Sequence, residues 1–101
     1  MPYFRIWRYE FAAGATAEFE RAYGSAGDWA RLFALAPGYL GTEFLQPIPP
    51  DIQYVTIDRW NAESDWNDFL KNHGAAYRSL GDQLAPLCVK NREVGNFASR
   101  D

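Results

Sequence analysis

Large apolar residues recur at every second position in three stretches of the chain, as is typical of β-strands. The first stretch carries such residues on both of its faces, with Trp7 and Tyr9 on one and Phe4 and Ile6 on the other. A strand of this kind is covered on both sides. A fourth stretch is shorter and more polar. The four predicted strands cover residues 3–11, 39–46, 52–60 and 90–97.

Apolar residues recur every three to four positions in two other regions, which predicts helices there. The first region covers residues 16–33 and is expected to break at Gly24–Gly27, with Thr16 and Asp28 as caps of its two segments. The second is a long helix that starts at Asn61 or Ser64 and ends before Pro86.

The predicted order of elements is β-α-β-β-α-β, a doubled β-α-β unit that forms a four-stranded antiparallel sheet. Right-handed crossovers place both helical regions on one face of this sheet. The other face also carries apolar residues, so it needs a cover, and a second copy of the chain is the simplest one. We therefore expect an α+β domain that works as a homodimer.

Composition narrows the class of protein. A chain of 101 residues without a linker-like stretch is expected to form a single domain over residues 1–101. The net charge is −3 and the basic residues are scattered, which argues against a nucleic-acid partner. No apolar run is long enough for a membrane span, one Cys excludes an internal disulfide, and no metal-ligand spacing is present, so a cytoplasmic protein without metal is expected.

Three segments, Gly27–Phe33, Pro37–Thr42 and Thr56–Trp60, together with the order of elements, resemble the antibiotic biosynthesis monooxygenase superfamily. The resemblance covers nearly the whole chain. It implies a dimeric α/β-barrel of ferredoxin-like topology. The superfamily includes cofactor-free quinol or anthrone oxygenases, haem-degrading enzymes and proteins without known activity, so the fold alone does not choose a function.

The haem-degrading branch of this superfamily uses an Asn on strand one, with a Trp on the second helix and a His ten positions later. In this chain Trp7 stands where such an Asn would be, Trp66 is followed ten positions later by Ala76, and His73 is only seven positions away. The resemblance therefore disfavours haem degradation, while haem binding by another arrangement stays open. No nucleotide fingerprint is present either, and no cofactor is expected.

The chain is rich in aromatic residues, with four Trp, six Tyr and seven Phe. A domain this small buries a limited share of its surface, so several rings are expected to line a pocket or an interface. An aromatic pocket between sheet and helices suits a flat ligand, although rings at helical spacing also serve as core. The candidate substrate-binding rings are Trp7, Trp29, Phe33, Trp66, Phe69 and Tyr77.

Two polar residues are candidates for the chemistry. His73, the sole histidine, lies between Phe69 and Tyr77 on the apolar stripe and can act as a general base, or simply be satisfied by a backbone carbonyl. Arg59, beside Asp58, can bind a substrate oxyanion or form a cross-strand ion pair, and the same alternatives hold for the arginines of strand one.

These patterns lead to two hypotheses. The first is a cofactor-independent monooxygenase that acts on an aromatic or quinol-like small molecule, with His73 removing a proton so that the resulting anion gives an electron to dioxygen. The second is a non-catalytic dimer of the same fold that binds an apolar metabolite or has a structural role. The position of His73, in a cavity or in a filled core, is the observation that separates them.

Overall fold

The computed structural model describes residues 1–100. Its frame is a four-stranded antiparallel sheet with the spatial order β2-β3-β1-β4, so the fourth strand pairs with the first. The strands are β1 (Tyr3–Phe11), β2 (Tyr39–Leu45), β3 (Tyr54–Trp60) and β4 (Cys88–Ala98). The helices are α1 (Thr16–Tyr23), α2 (Asp28–Phe33) and α3 (Glu63–Leu84), and a 3₁₀ turn, Ala85–Leu87, follows α3. This confirms the predicted α+β class and the ferredoxin-like order.

The last strand is longer than its polar sequence indicated. β4 pairs with β1 over its full length, from the partners Tyr3 and Ala98 to Phe11 and Cys88, with two irregularities in register. Hydrogen bonding to a central strand satisfies the backbone of these residues whatever their side chains are. Long-range pairing therefore outweighs the weak strand signal of the sequence.

The helices begin without the side-chain caps that the sequence suggested. The residues that flank their first turns are Ala15, Gly27 and Ala62, none of which offers a capping oxygen. Asp28 lies inside α2 and forms an ion pair with Arg31. The first turns carry acidic residues instead, which interact favourably with the positive end of the helix dipole.

Both helical regions pack on the same face of the sheet, as predicted. One buried cluster centres on Trp60 and Phe69, and a second centres on Phe19 and Tyr23. Rings from β1 and β3 reach both clusters from the sheet side. The space between the two clusters is not completely filled, and the candidate site lies there.

The opposite side of the sheet, called the open face below, is not covered by any helix within residues 1–100. Its apolar side chains are partly or largely exposed to solvent, and Leu45 and Phe97 are 45% and 48% exposed. This agrees with the expectation that the strands are apolar on both sides. The open face consists of Phe4, Ile6, Leu45, Val55, Ile57 and Phe97.

α3 contains one break in its helical geometry. His73 has φ −131° and ψ 17°, and regular helix continues on either side. The first half of α3 packs over the cluster around Trp60, whereas the second half passes over the space between the clusters. No helix within residues 1–100 combines the length and apolar character needed to cross a membrane.

Candidate functional site

A cavity of about 390 Å³ lies between the helix-facing side of the sheet and the helices α2 and α3. This volume is within the range of small-molecule sites in proteins. Exposed residues near the end of α3 and on β4 stand at its edge. The lining consists of Arg5, Trp7, Tyr9, Tyr23, Trp29, Phe33, Thr42, Thr56, Asp58, Trp66, Tyr77, Arg78, Gly81, Asp82, Ala85 and Asn91.

Rings from β1, α2 and α3 form one side of this cavity. Tyr77 packs edge-on against Trp29 and Trp66, with centroid distances of 5.3 and 5.4 Å, and Trp7 stacks along β1 on Tyr9 at 6.3 Å. Five of the seven substrate-binding residues proposed from the sequence thus line the cavity. These five, called the aromatic wall below, are Trp7, Trp29, Phe33, Trp66 and Tyr77.

The other two predicted binding residues lie elsewhere. Phe69 is 1% exposed and packs in the core against Trp66, where it has no access to the cavity. Arg59 points to the open face, where its guanidinium lies 3.7 Å from the Glu43 carboxylate. Successive residues of a strand point to opposite faces, and the neighbouring Asp58 faces the cavity, so Arg59 faces away from it. The structure therefore favours the ion-pair interpretation of Arg59.

His73, the proposed base, also lies outside the cavity. Its ring packs against Phe69 at 5.6 Å and borders a smaller pocket of about 250 Å³ beside the α2–β2 connection. Asp65, Asp68 and Asn72 are its polar neighbours there. Its position gives no support to a role at the aromatic wall, and that role stays a prediction from the sequence.

Four polar side chains gather at the sheet side of the cavity, and they are called the polar corner below. Arg5 of β1 is the cross-strand partner of Asp58 of β3, and Trp7 is the partner of Thr56, so all of these side chains point to the same face. Thr42 of β2 is in turn the partner of Asp58. The polar corner consists of Arg5, Thr42, Thr56 and Asp58.

Asp58 is the buried acid of the polar corner, with 9% of its surface exposed. Burial raises the pKa of Asp58 to about 6, while the hydrogen bond from Thr42 and the positive charge of Arg5 partly oppose this rise. The Thr42 hydroxyl donates to Asp58 Oδ1 at 2.6 Å. At neutral pH the group is mainly ionised, and it is a stronger base than an ordinary aspartate.

Arg5 supplies the positive charge of the polar corner. Its guanidinium lies 4.0 Å from the centre of the Trp66 ring and donates a hydrogen bond to Asn96 Oδ1 at 3.1 Å. Within residues 1–100 no ion pair of 4.0 Å or less joins Arg5 to Asp58. The two opposite charges therefore face the cavity side by side, and neither is neutralised by a direct contact with the other.

A β-bulge in β2 brings Tyr39 to the same side of the sheet as Thr42, the residue that donates to Asp58. In a regular strand Tyr39 and Thr42, three residues apart, would point to opposite faces. The register shift between Tyr39 and Gly41 inserts an extra residue, and Gly41 has φ +136°, a conformation that favours glycine. Tyr39 and Thr42 consequently share the helix-facing side, where their hydroxyl oxygens are 2.6 Å apart.

Two buried donors at the cavity have no hydrogen-bond partner among residues 1–100: the Thr56 hydroxyl and the Trp29 indole nitrogen. The Tyr9 and Tyr23 hydroxyls approach them without the geometry of a hydrogen bond, and burial raises the pKa of both tyrosines, which keeps them neutral. Buried polar groups are rarely left unpaired in proteins. A ligand with oxygen atoms would satisfy both donors.

Asp58 was not among the site residues predicted from the sequence, although a signal was present. Every second residue of β3 from Tyr54 to Trp60 faces the helices, and Asp58 is the one charged member of that series. Burying a carboxyl group on the helix-facing side of a strand costs free energy unless the group has a function or a partner. Within residues 1–100 no cluster of His, Cys, Asp or Glu is suited to hold a metal ion.

Comparisons with known proteins identify the fold of this chain. No family model matches the chain, and no curated protein does. Solved structures do match. SnoaB from Streptomyces nogalater, a cofactor-independent oxygenase, is 25% identical over 99% of this chain and 94% of its own, with a TM-score of 0.76. The chain has the antibiotic biosynthesis monooxygenase fold.

Further structures share the antibiotic biosynthesis monooxygenase fold at lower identity. A putative antibiotic biosynthesis monooxygenase from Nitrosomonas europaea is 16% identical, covering 98% of this chain and 90% of its own, with a TM-score of 0.71. The haem-degrading MhuD of Mycobacterium tuberculosis is 22% identical over 97% and 95%, with a TM-score of 0.65. These two matches support the fold alone, and the fold agrees with the resemblance seen in the sequence.

Proposed function

We propose that this chain is a cofactor-independent monooxygenase that acts on an aromatic or quinol-like small molecule. The observation that carries the proposal is the polar corner, where the buried Asp58 carboxylate and the Arg5 guanidinium face one cavity beside the aromatic wall. The fold shared with a cofactor-independent oxygenase at 25% identity supports it.

The chemistry begins with a proton transfer. A phenol or enol becomes a much better electron donor to dioxygen once it is an anion. Asp58 is the group that takes the proton, and Arg5 is the group that stabilises the negative oxygen that results. Thr56 and Trp29 donate their free hydrogens to further oxygen atoms of the substrate.

Dioxygen is then the only other reactant. In the anthrone type of reaction a ring methylene becomes a carbonyl group: one oxygen atom enters the substrate, and the other leaves as water with the two methylene hydrogens. The substrate supplies all the electrons, so no external reductant is needed. The residues of the cavity bind and orient the substrate, take up its proton and exclude water from the reacting anion.

Haem degradation is less well supported by the arrangement. The only histidine of the chain lies beside the smaller pocket, not in the cavity. The buried tyrosines that line the cavity have raised pKa values, which makes them poor anionic ligands for iron. The non-catalytic alternative keeps the same binding cavity but assigns no role to the raised pKa of Asp58.

Oxygen uptake tests the proposal. The protein is incubated aerobically with a panel of hydroquinones and anthrones, and wild type is compared with Asp58→Asn and with His73→Ala as a matched control outside the cavity. We expect kcat/KM to fall about 100-fold or more in Asp58→Asn, the usual contribution of a general base, and to stay unchanged in His73→Ala. The reverse pattern would restore His73 as the base. Ligand binding without oxygen uptake would favour the non-catalytic alternative.

We also propose that a second copy of the chain covers the open face. The six apolar residues of the open face are partly or largely exposed, and self-association through a two-fold axis is the common way to bury such a surface. Light scattering should give twice the chain mass of 11.5 kDa. Ile57→Lys should give monomers, whereas Leu35→Lys, at an exposed position on the helix side, should not. A monomeric wild type at micromolar concentration would contradict this.

A further inference from the structure

Three oxygen-bearing side chains form a continuous hydrogen-bonded chain that ends at the cavity. Tyr39 and Thr42 are joined by a contact of 2.6 Å between their hydroxyl oxygens, and Thr42 and Asp58 by another of 2.6 Å. An ionised carboxylate only accepts hydrogen bonds, so Thr42 gives its single hydrogen to Asp58. Tyr39 must then donate to Thr42. Both hydrogens therefore point towards the carboxylate.

The backbone is shaped to make this chain possible. Without the bulge of β2 the Tyr39 side chain would point to the open face and would not reach Thr42. Bulges are frequent next to active sites, where they re-aim a side chain. Gly41, at φ +136°, accommodates the bulge. A Cβ atom at this position would lie 3.9 Å from the Arg59 side chain, so backbone conformation and not space favours glycine there.

We propose that Tyr39 and Thr42 are positioning residues that hold Asp58 through its Oδ1 atom and leave Oδ2 to take the substrate proton. Oδ2 has no hydrogen-bond partner in the described part of the chain. A carboxylate held at one oxygen keeps a fixed orientation in the cavity, and a base of fixed orientation transfers protons faster than a mobile one. The proton transfer to Oδ2 rests on the proposed function, whereas the hydrogen-bonded hold on Asp58 does not.

The ionisable groups that face Asp58 decide over which pH range its titration can be followed separately. They are Arg5 and Tyr9 from β1, Tyr39 from β2 and Tyr77 from α3. Burial raises the pKa of all three tyrosines, which keeps them protonated. Between pH 4 and 8 Asp58 is therefore the group of this set that titrates.

Thr42→Val tests the proposal because valine matches threonine in shape but has no hydroxyl, and Thr42→Ser is the matched control that keeps it. Loss of a hydrogen bond to the charged form raises the pKa of Asp58. We expect the titration of the Asp58 carboxyl, followed by carbon-13 NMR and assigned with Asp58→Asn, to move up by about one pH unit in Thr42→Val, as a hydrogen bond to a charged group predicts. Tyr39→Phe should give a smaller shift in the same direction.

Turnover provides the second measurement. The acid limb of the kcat/KM profile of Thr42→Val should move up with the NMR titration, kcat should fall, and KM should change little, while Thr42→Ser should behave like wild type. An unchanged Asp58 titration in folded Thr42→Val would overturn the proposal, and an unchanged one in Tyr39→Phe would remove Tyr39 from it. A shifted titration in a protein that oxidises no substrate of the panel would uphold the positioning role and count against the proposed function.

Discussion

Replacing Asp58 by asparagine is expected to make the protein more stable at neutral pH, although it removes the proposed base. The pKa of Asp58 rises from 3.8 to about 6 on folding because the carboxyl is buried. The folded protein therefore holds this proton more tightly than the unfolded chain does. The stabilising contribution is complete below pH 3.8 and is lost as the pH rises through about 6.

The magnitude follows from the same values. A rise of about two pH units at 1.36 kcal/mol each gives about 3 kcal/mol between the two limits. Because the carboxyl of the unfolded chain is already partly ionised below pH 4.5, about 2 kcal/mol of this loss falls between pH 4.5 and 7.5. Asparagine is neutral throughout and still offers Thr42 an acceptor oxygen. The stability of Asp58→Asn relative to wild type should thus increase by about 2 kcal/mol across that interval.

Urea unfolding at pH 4.5, 5.5, 6.5 and 7.5 measures this difference, because the free energy of unfolding is extrapolated separately at each pH. The other titrating groups are shared by both proteins and cancel in the comparison. Asp51→Asn, at an exposed position in the β2–β3 connection, is the control and should follow wild type at every pH. If the curves of Asp58→Asn and wild type ran parallel from pH 4.5 to 7.5, burial would not govern this carboxyl, and the argument for a raised pKa would be wrong.

Four further substitutions test particular contacts. Gly38→Ala should lower the free energy of unfolding by about 1–3 kcal/mol, because a methyl group there would overlap the Asp65 side chain, whereas Gly81→Ala, with ordinary clearance inside α3, should raise it by about 0.5–1 kcal/mol in the same urea assay. Trp29→Phe removes an unpaired buried donor, so it should weaken binding of an oxygen-bearing ligand in a fluorescence titration without lowering the melting temperature by more than a few degrees. His73→Ala should leave ligand affinity unchanged, since a decrease would place His73 in contact with the ligand.

The order of elements and the two-sided character of the strands were determined by the sequence. The alternation of β1 and β3 and the three-to-four spacing of α3 are local patterns, and each depends only on which side of a strand or helix a residue occupies. The same patterns correctly indicated a face without helices. They also indicated the five residues of the aromatic wall as candidates, because large rings at inward-facing positions either fill a core or line a cavity.

Only the tertiary structure decided which of these rings fill the core and which line the cavity. It also decided which polar groups lie close together. Phe69 and Tyr77 have the same periodicity on α3, yet one is in the core and the other lines the cavity, since their surroundings come from different elements. Arg5 and Asp58 are 53 residues apart, and it is strand register that brings them to the same place. The Tyr39–Thr42 contact requires a bulge that shifts the period of two. Local periodicity carries no information about register or bulges, because both are set by pairing with distant strands.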